Sequence, residues 1–150
     1  MSFVQLVSAQ QAPTLQLSDA PIIAIDKTVD EIKSGINSFR KVERKADSTG
    51  YDRGYFLKDE LQMVATYYKD TATEKHGEWY FQNGKFIFSM ELWIDVKTKD
   101  TIDYERFYLR NERLIAWFKF DQPVDRNTVV FKKLNFRMND YIAVLKREYQ

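Results

Sequence analysis

The chain has 150 residues, 44% hydrophobic and 30% charged, the composition of one globular domain large enough for a real core. Its 23 basic and 22 acidic residues nearly cancel and are interspersed. No field is therefore built for nucleic acid or for an anionic membrane. Cysteine is absent, which excludes disulfides, thiolate catalysis, cysteine-ligated zinc and iron–sulfur clusters.

Residues 1–21 show no sustained period and read as an irregular segment before a single α+β domain over 22–150. Within it, Phe3-Val4-Gln5-Leu6-Val7-Ser8-Ala9-Gln10 has the form of the tail of a signal peptide. Val7 and Ala9 are the small residues that flank a cleavage point. The expected location is periplasmic or secreted, with a cytoplasmic chain as the alternative. No stretch elsewhere is long enough to span a membrane.

A first helix is expected from Thr28, where Thr28-Val29-Asp30-Glu31 has the pattern of a capping box. Val29, Ile32, Ile36 and Phe39 then recur at helical spacing and place its end near Arg40. Residues 41–46 read as a strand and Asp47-Ser48-Thr49-Gly50 as a loop. Thr49-Gly50-Tyr51-Asp52-Arg53-Gly54 reads as a turn.

Three hairpins follow, and they are written as one repeat. The segments begin at Tyr55, Tyr80 and Tyr108, at offsets of 25 and 28 residues. Each places an aromatic-rich strand before a polar turn and an apolar strand after it. Asn83-Gly84 is the strongest turn signal, because both residues tolerate positive φ. Alternation puts Phe86, Phe88, Met90, Leu92, Ile94 and Val96 on one face and Ile87, Ser89, Glu91, Trp93 and Asp95 on the other. In the last strand Leu114, Ala116, Phe118 and Phe120 share a face. A second helix is expected from about Thr128, with Phe131, Leu134, Met138, Tyr141, Ile142, Leu145 and Tyr149 on its apolar side. The fold class is thus α+β. It is an antiparallel meander of about six to seven strands, with an N-terminal helix and a long C-terminal helix packed on one face.

Catalytic motifs are sparse. His76 is the single histidine and reads as a loop residue, so no two-histidine metal site exists. Glu91 with Asp95, and Asp103 with Glu105, are carboxylates that share strand faces, the second pair two residues apart. That spacing suits acid–base chemistry and equally suits a wet sheet face. No phosphate-binding glycine loop or nucleophile elbow occurs. The chain is therefore read as non-enzymatic, with no cofactor and no metal.

Covering one sheet face leaves the other open. Trp79, Tyr80, Trp93, Arg106, Arg113 and Trp117 are the candidate interaction surface there, since aromatic and arginine side chains dominate recognition patches. The expected function is a binding or interaction module of the cell envelope. A protein partner, a small ligand or a homodimer would occupy the surface. The alternative is a small hydrolase or ligand carrier with a pocket between sheet and helices.

Two resemblances are carried by the repeat. Ser38-Phe39-Arg40-Lys41-Val42-Glu43, the strand at Leu61–Tyr68, the hairpin Glu78–Phe88 and the element Glu105–Trp117 together resemble a family of small exported bacterial proteins of unknown function. The match runs over about residues 29–120. It implies export and the meander fold, and brings no site residue with it. Gly77-Glu78-Trp79-Tyr80 with Asn83-Gly84-Lys85 resembles MORN-like repeats, whose second glycine position falls on Ser89 or later here, at an irregular spacing. The single-sheet topology is similar to that of β-lactamase-inhibitor-like domains, a likeness of fold alone.

Overall fold

A computed structural model describes residues 12–149. The segment Phe3–Gln10, on which the export expectation rests, lies outside the described residues. The elements in chain order are helix α1 (Ala20–Gly35), β1 (Arg40–Asp47), β2 (Gly50–Leu57), β3 (Glu60–Lys69), β4 (Thr73–Gln82), β5 (Lys85–Asp95), β6 (Thr101–Arg110), β7 (Arg113–Lys119), the two-residue β8 (Gln122–Pro123) and helix α2 (Val129–Tyr149). All strands belong to one antiparallel sheet in sequential order, a meander of eight strands rather than six or seven.

The first helix begins eight residues earlier than Thr28. Pro21 occupies its first turn, where a missing N–H costs nothing. Thr28 lies inside the helix and its hydroxyl donates to the Ala24 carbonyl at 3.2 Å, so no capping box forms. The apolar stripe is real and longer than expected: Ile22, Val29 and Ile32 are buried, with Ile25 and Ile36 beside them. The second helix starts as expected. The Phe131 amide donates to Thr128 Oγ1 at 3.3 Å, the bond of an N-cap.

The segment expected to turn at residues 49–54 is strand instead. Asp47 Oδ1 accepts from the Thr49 amide at 2.8 Å and the Gly50 amide at 3.2 Å, which reverses the chain before Gly50. The same device recurs at this end of the sheet. Asp70 accepts from the amides of Thr73 at 2.7 Å and Ala72 at 2.8 Å, and Asp95 from those of Lys97 and Thr98, both at 2.8 Å. These donors hold the Asp70 and Asp95 carboxyls below their ordinary range.

At the opposite end the three repeated hairpins share a second device. Each closes with a two-residue turn: Leu57 pairs with Glu60, Gln82 with Lys85, and Arg110 with Arg113. Asn83 and Gly84 have φ of 52° and 76°, and Asn111 and Glu112 of 51° and 60°, as a type I′ turn requires. One bulge follows each turn at the same repeat position. Phe56 pairs with Leu61 and Tyr55 with Met63, leaving Gln62 extra. Phe81 pairs with Phe86 and Tyr80 with Phe88, leaving Ile87 extra. Leu109 pairs with Leu114 and Tyr108 with Ala116, leaving Ile115 extra.

The bulges overturn two expected faces. An extra residue reverses the alternation. Phe86 therefore points away from Phe88 and Met90, and Leu114 away from Ala116 and Phe118. Two cores result, one on each side of the sheet. Tyr55, Met63, Tyr80, Phe88, Tyr108 and Phe118 pack with Ile22, Val29 and Ile32 of α1. Phe56, Val64, Trp79, Phe81, Phe86, Phe107 and Trp117 pack with Phe131, Met138, Ile142 and Leu145 of α2. The helices thus cover opposite faces, not one, and the sheet is the middle layer. Each large side chain so buried contributes roughly 1.5–3 kcal/mol.

Polar links fix each helix on its face. Tyr108 Oη donates to Asp26 on α1 at 2.8 Å, and Lys33 of α1 lies 3.5 Å from Glu78, which accepts from Tyr80 Oη. On the other side Asn135 of α2 accepts from the Leu114 amide at 2.9 Å. Tyr149 donates to Asp52. Helix α2 therefore runs across the strands from β7 to β2. Tyr108→Phe removes the bond to Asp26 and is expected to lower stability by about 1–2 kcal/mol in urea unfolding, because a hydrogen bond to a charged group is lost.

Candidate functional site

The six residues expected to form one recognition surface are dispersed. Trp79 and Trp117 are 4% and 8% exposed and belong to the core under α2. Tyr80 is fully buried under α1. Arg106 lies on the α1 side of the sheet, where its guanidinium donates to Phe120 O at 3.0 Å and to Asp121 at 2.7 Å. Arg113 is exposed at the β6–β7 turn. Trp93 is half-buried on the α2 side, beneath Lys75 at 4.6 Å from its ring centre. With a helix on each face, the wholly open sheet face on which the surface was drawn does not exist.

His76 lies in strand β4, not in a loop. Its ring packs against Tyr67 at 5.0 Å, and Tyr67 against Tyr51 at 5.7 Å. This aromatic row is on the α1 side, away from every carboxylate pair considered on the other face. Among the described residues no group of three or more His, Asp or Glu could hold a metal ion.

What the structure does bring together is a groove between α2 and the sheet. Register builds it from two cross-strand rows. The upper row is Val64, Trp79, Ser89, Phe107 and Trp117 across β3 to β7. The lower row is Thr66, Gly77, Glu91, Glu105 and Lys119 across the same strands. Large side chains of the upper row pack under α2, and the lower row runs beyond it. At the junction the side chains are small: Ser89 is 1% exposed and Gly77 has none. The resulting cavity of about 480 Å³ is lined by Thr66, Lys75, Trp79, Ser89, Glu91, Phe107, Leu134, Arg137, Met138 and Tyr141. Its size is that of a small-molecule site.

Gly77 decides the shape of this groove. A Cβ there would meet the Trp79 ring at 2.4 Å and Thr66 Oγ1 at 2.8 Å. The Trp79 indole therefore lies flat over Gly77, and its other flank meets Tyr141 of α2 at 5.7 Å between ring centres. The two rings and Phe107 make an aromatic wall.

The charges are divided unevenly. Lys75 Nζ is 3.5 Å from Glu91 and over the Trp93 ring. Glu105, opposite Glu91, accepts from Trp117 Nε1 at 2.7 Å and lies 3.7 Å from Lys119. Burial pushes its carboxyl above the ordinary carboxylate range, and neighbouring Asp103 adds to the rise, against the pull of Trp117 and Lys119. The carboxylates that looked paired along one strand are thus paired across strands, Glu91 with Glu105. Sequence alternation showed which residues share a face, while only register shows which stand opposite.

A larger cavity of about 570 Å³ lies at the far end of α2, lined among others by Arg40, Arg44, Asp59, Glu60, Lys146 and Glu148. Its cations are already engaged. Arg40 stacks on Phe56 at 4.6 Å, Arg44 on Tyr149 at 5.3 Å, and Lys146 pairs with Glu112. The other charged side chains of its lining, Asp59, Glu60 and Glu148, are all acids.

Two outcomes test this description. Gly77→Ala forces the Trp79 ring off its seat and is expected to cost about 1–3 kcal/mol in denaturant unfolding, the usual penalty for overpacking. For Glu105 the sign follows from its raised pKa. The folded state binds this proton more tightly than the unfolded chain does. The ionised carboxylate therefore destabilises at high pH, and the cost is relieved as pH falls through the raised value toward the ordinary 4.5. Glu105→Gln keeps the acceptor for Trp117 and is expected to raise Tm at neutral pH. Each kcal/mol gained is worth about 2–4 °C in a chain of this size. Calorimetry across the acidic range should show that gain shrinking as pH falls.

Comparison with family models, curated proteins and solved structures finds no match.

Proposed function

We propose that the protein is a binding module that holds a small apolar ligand in the groove between α2 and the sheet. The observation that carries this reading is the aromatic wall of Trp79, Phe107 and Tyr141 around a cavity of about 480 Å³, beside the polar side chains of Thr66, Lys75, Ser89, Glu91 and Arg137. Protein ligand sites combine a mainly apolar lining with a few placed polar groups in this way. Ser89 on β5 keeps the floor of the groove small, and Gly77 on β4 seats the Trp79 ring that walls it.

A hydrolytic reading gains less support. General acid–base catalysis needs two groups converging on one reacting bond. Here Glu91 is neutralised by Lys75, Glu105 is turned to Trp117 and Lys119, and His76 faces the opposite side of the sheet.

The neutral fluorophore N-phenyl-1-naphthylamine tests the reading. Its emission should rise saturably on titration with the protein, at one site per chain. Thr66→Trp, which fills the rim of the groove, should abolish that site while circular dichroism stays unchanged. Absence of saturable binding to the natural chain, or equal binding by the folded Thr66→Trp variant, would overturn the proposal.

A further inference from the structure

The geometry points to an organic anion as the ligand of this groove, with Arg137 as the residue that receives its charge; the inference rests on the groove being a ligand site. Three charged side chains line the cavity: Lys75, Glu91 and Arg137. Lys75 and Glu91 are 3.5 Å apart and cancel one another, and the Lys75 ammonium is further occupied by the Trp93 ring. Glu105, the nearest other carboxylate in register, is held by Trp117 and Lys119. Arg137 is different. Among the described residues it has neither an ion-pair nor a hydrogen-bond partner, and it borders the cavity one helical turn before Tyr141.

The groove therefore carries one uncompensated positive charge beside an aromatic wall. An uncharged ligand filling the groove would take water from the guanidinium and give nothing back, which costs free energy. A carboxylate, sulfonate or phosphate returns the lost interaction, and the planar guanidinium can bind it through two parallel N–H groups. The helix adds to this preference. Lys132 and Lys133 stand one turn before Arg137, and Asp140 is the single acid between Val129 and Leu145. The approach to the rim is thus positive, although the chain as a whole is close to neutral. The ligand class is a small organic anion with a flat or extended apolar body, the body against Trp79 and Tyr141 and the charge at Arg137.

The test pairs two probes that differ in the anionic group alone. 8-Anilinonaphthalene-1-sulfonate is N-phenyl-1-naphthylamine with a sulfonate added. The natural chain should bind the sulfonate about tenfold tighter, a preference that shrinks as salt is raised. Arg137→Gln should remove this preference by weakening the sulfonate about tenfold without weakening the neutral probe, and be partly rescued by Arg137→Lys. Equal affinity of the natural chain for the two probes, or an Arg137→Gln effect of the same size on both, would overturn the anion assignment while leaving the groove as a site. If neither probe binds at a saturable site, the groove reading itself fails and this inference with it. Arg137 is exposed on the helix surface, so loss of folding does not confuse the result.

Discussion

The three bulges beside the hairpin turns set the arrangement of everything else. A two-residue turn fixes which residues pair, and one extra residue in the returning strand then reverses its alternation. Tyr55, Tyr80 and Tyr108 are thereby directed to one side of the sheet. Phe56, Phe81 and Leu109, with their partners Leu61, Phe86 and Leu114, are directed to the other. Both faces are apolar at this end, and neither can be left to water at roughly 1.5–3 kcal/mol per large side chain. Among the described residues one α-helix precedes the meander and one follows it. Each takes a face, and the sheet becomes the central layer.

Local signals were legible and non-local ones were not. The helical stripe of α1, the start of α2 near Thr128, the Asn83-Gly84 turn and the meander itself are encoded over a few residues and appear as read. The start of α1 was misplaced because Thr28 to Glu31 satisfies a cap pattern that an exposed helix surface satisfies just as well. Asp19 followed by Pro21 is the stronger start signal. The assignment of faces failed for one reason. Strict alternation carries Phe86 and Phe88 to the same side, and the register shift at Ile87 separates them. The same blind spot put both helices on one side and left tryptophans facing solvent. The irregular offset between repeats concealed a regular feature, since Gln62, Ile87 and Ile115 occupy one repeat position.

The groove follows from limited coverage. Strands of ten residues are about 33 Å long, whereas a helix with its side chains is about 10–12 Å wide. Helix α2 crosses the strands from Asn135 at Leu114 of β7 past Tyr141 at Trp79 of β4 to Tyr149 at Asp52 of β2. It cannot cover their full length. Beyond it the α2 face changes composition within one cross-strand row, from Trp79, Phe107 and Trp117 to Gly77, Glu91, Glu105 and Lys119. Composition alone did not mark this boundary, because the two rows interleave along every strand.

Stability alone does not account for the residues at that boundary. Ser89 is nearly inaccessible between Trp79 and Phe107, where a larger apolar side chain would add burial. Gly77 leaves β4 without a side chain at a paired position, and strand interiors are weakened by glycine. Ser89 leaves room in the cavity, and Gly77 leaves room for the Trp79 ring that walls it. On the helix side, Arg137 stands at that cavity without an ion-pair partner among the described residues. Three such choices converge at one place, each made by a different element, and they agree with the groove being a ligand site as proposed.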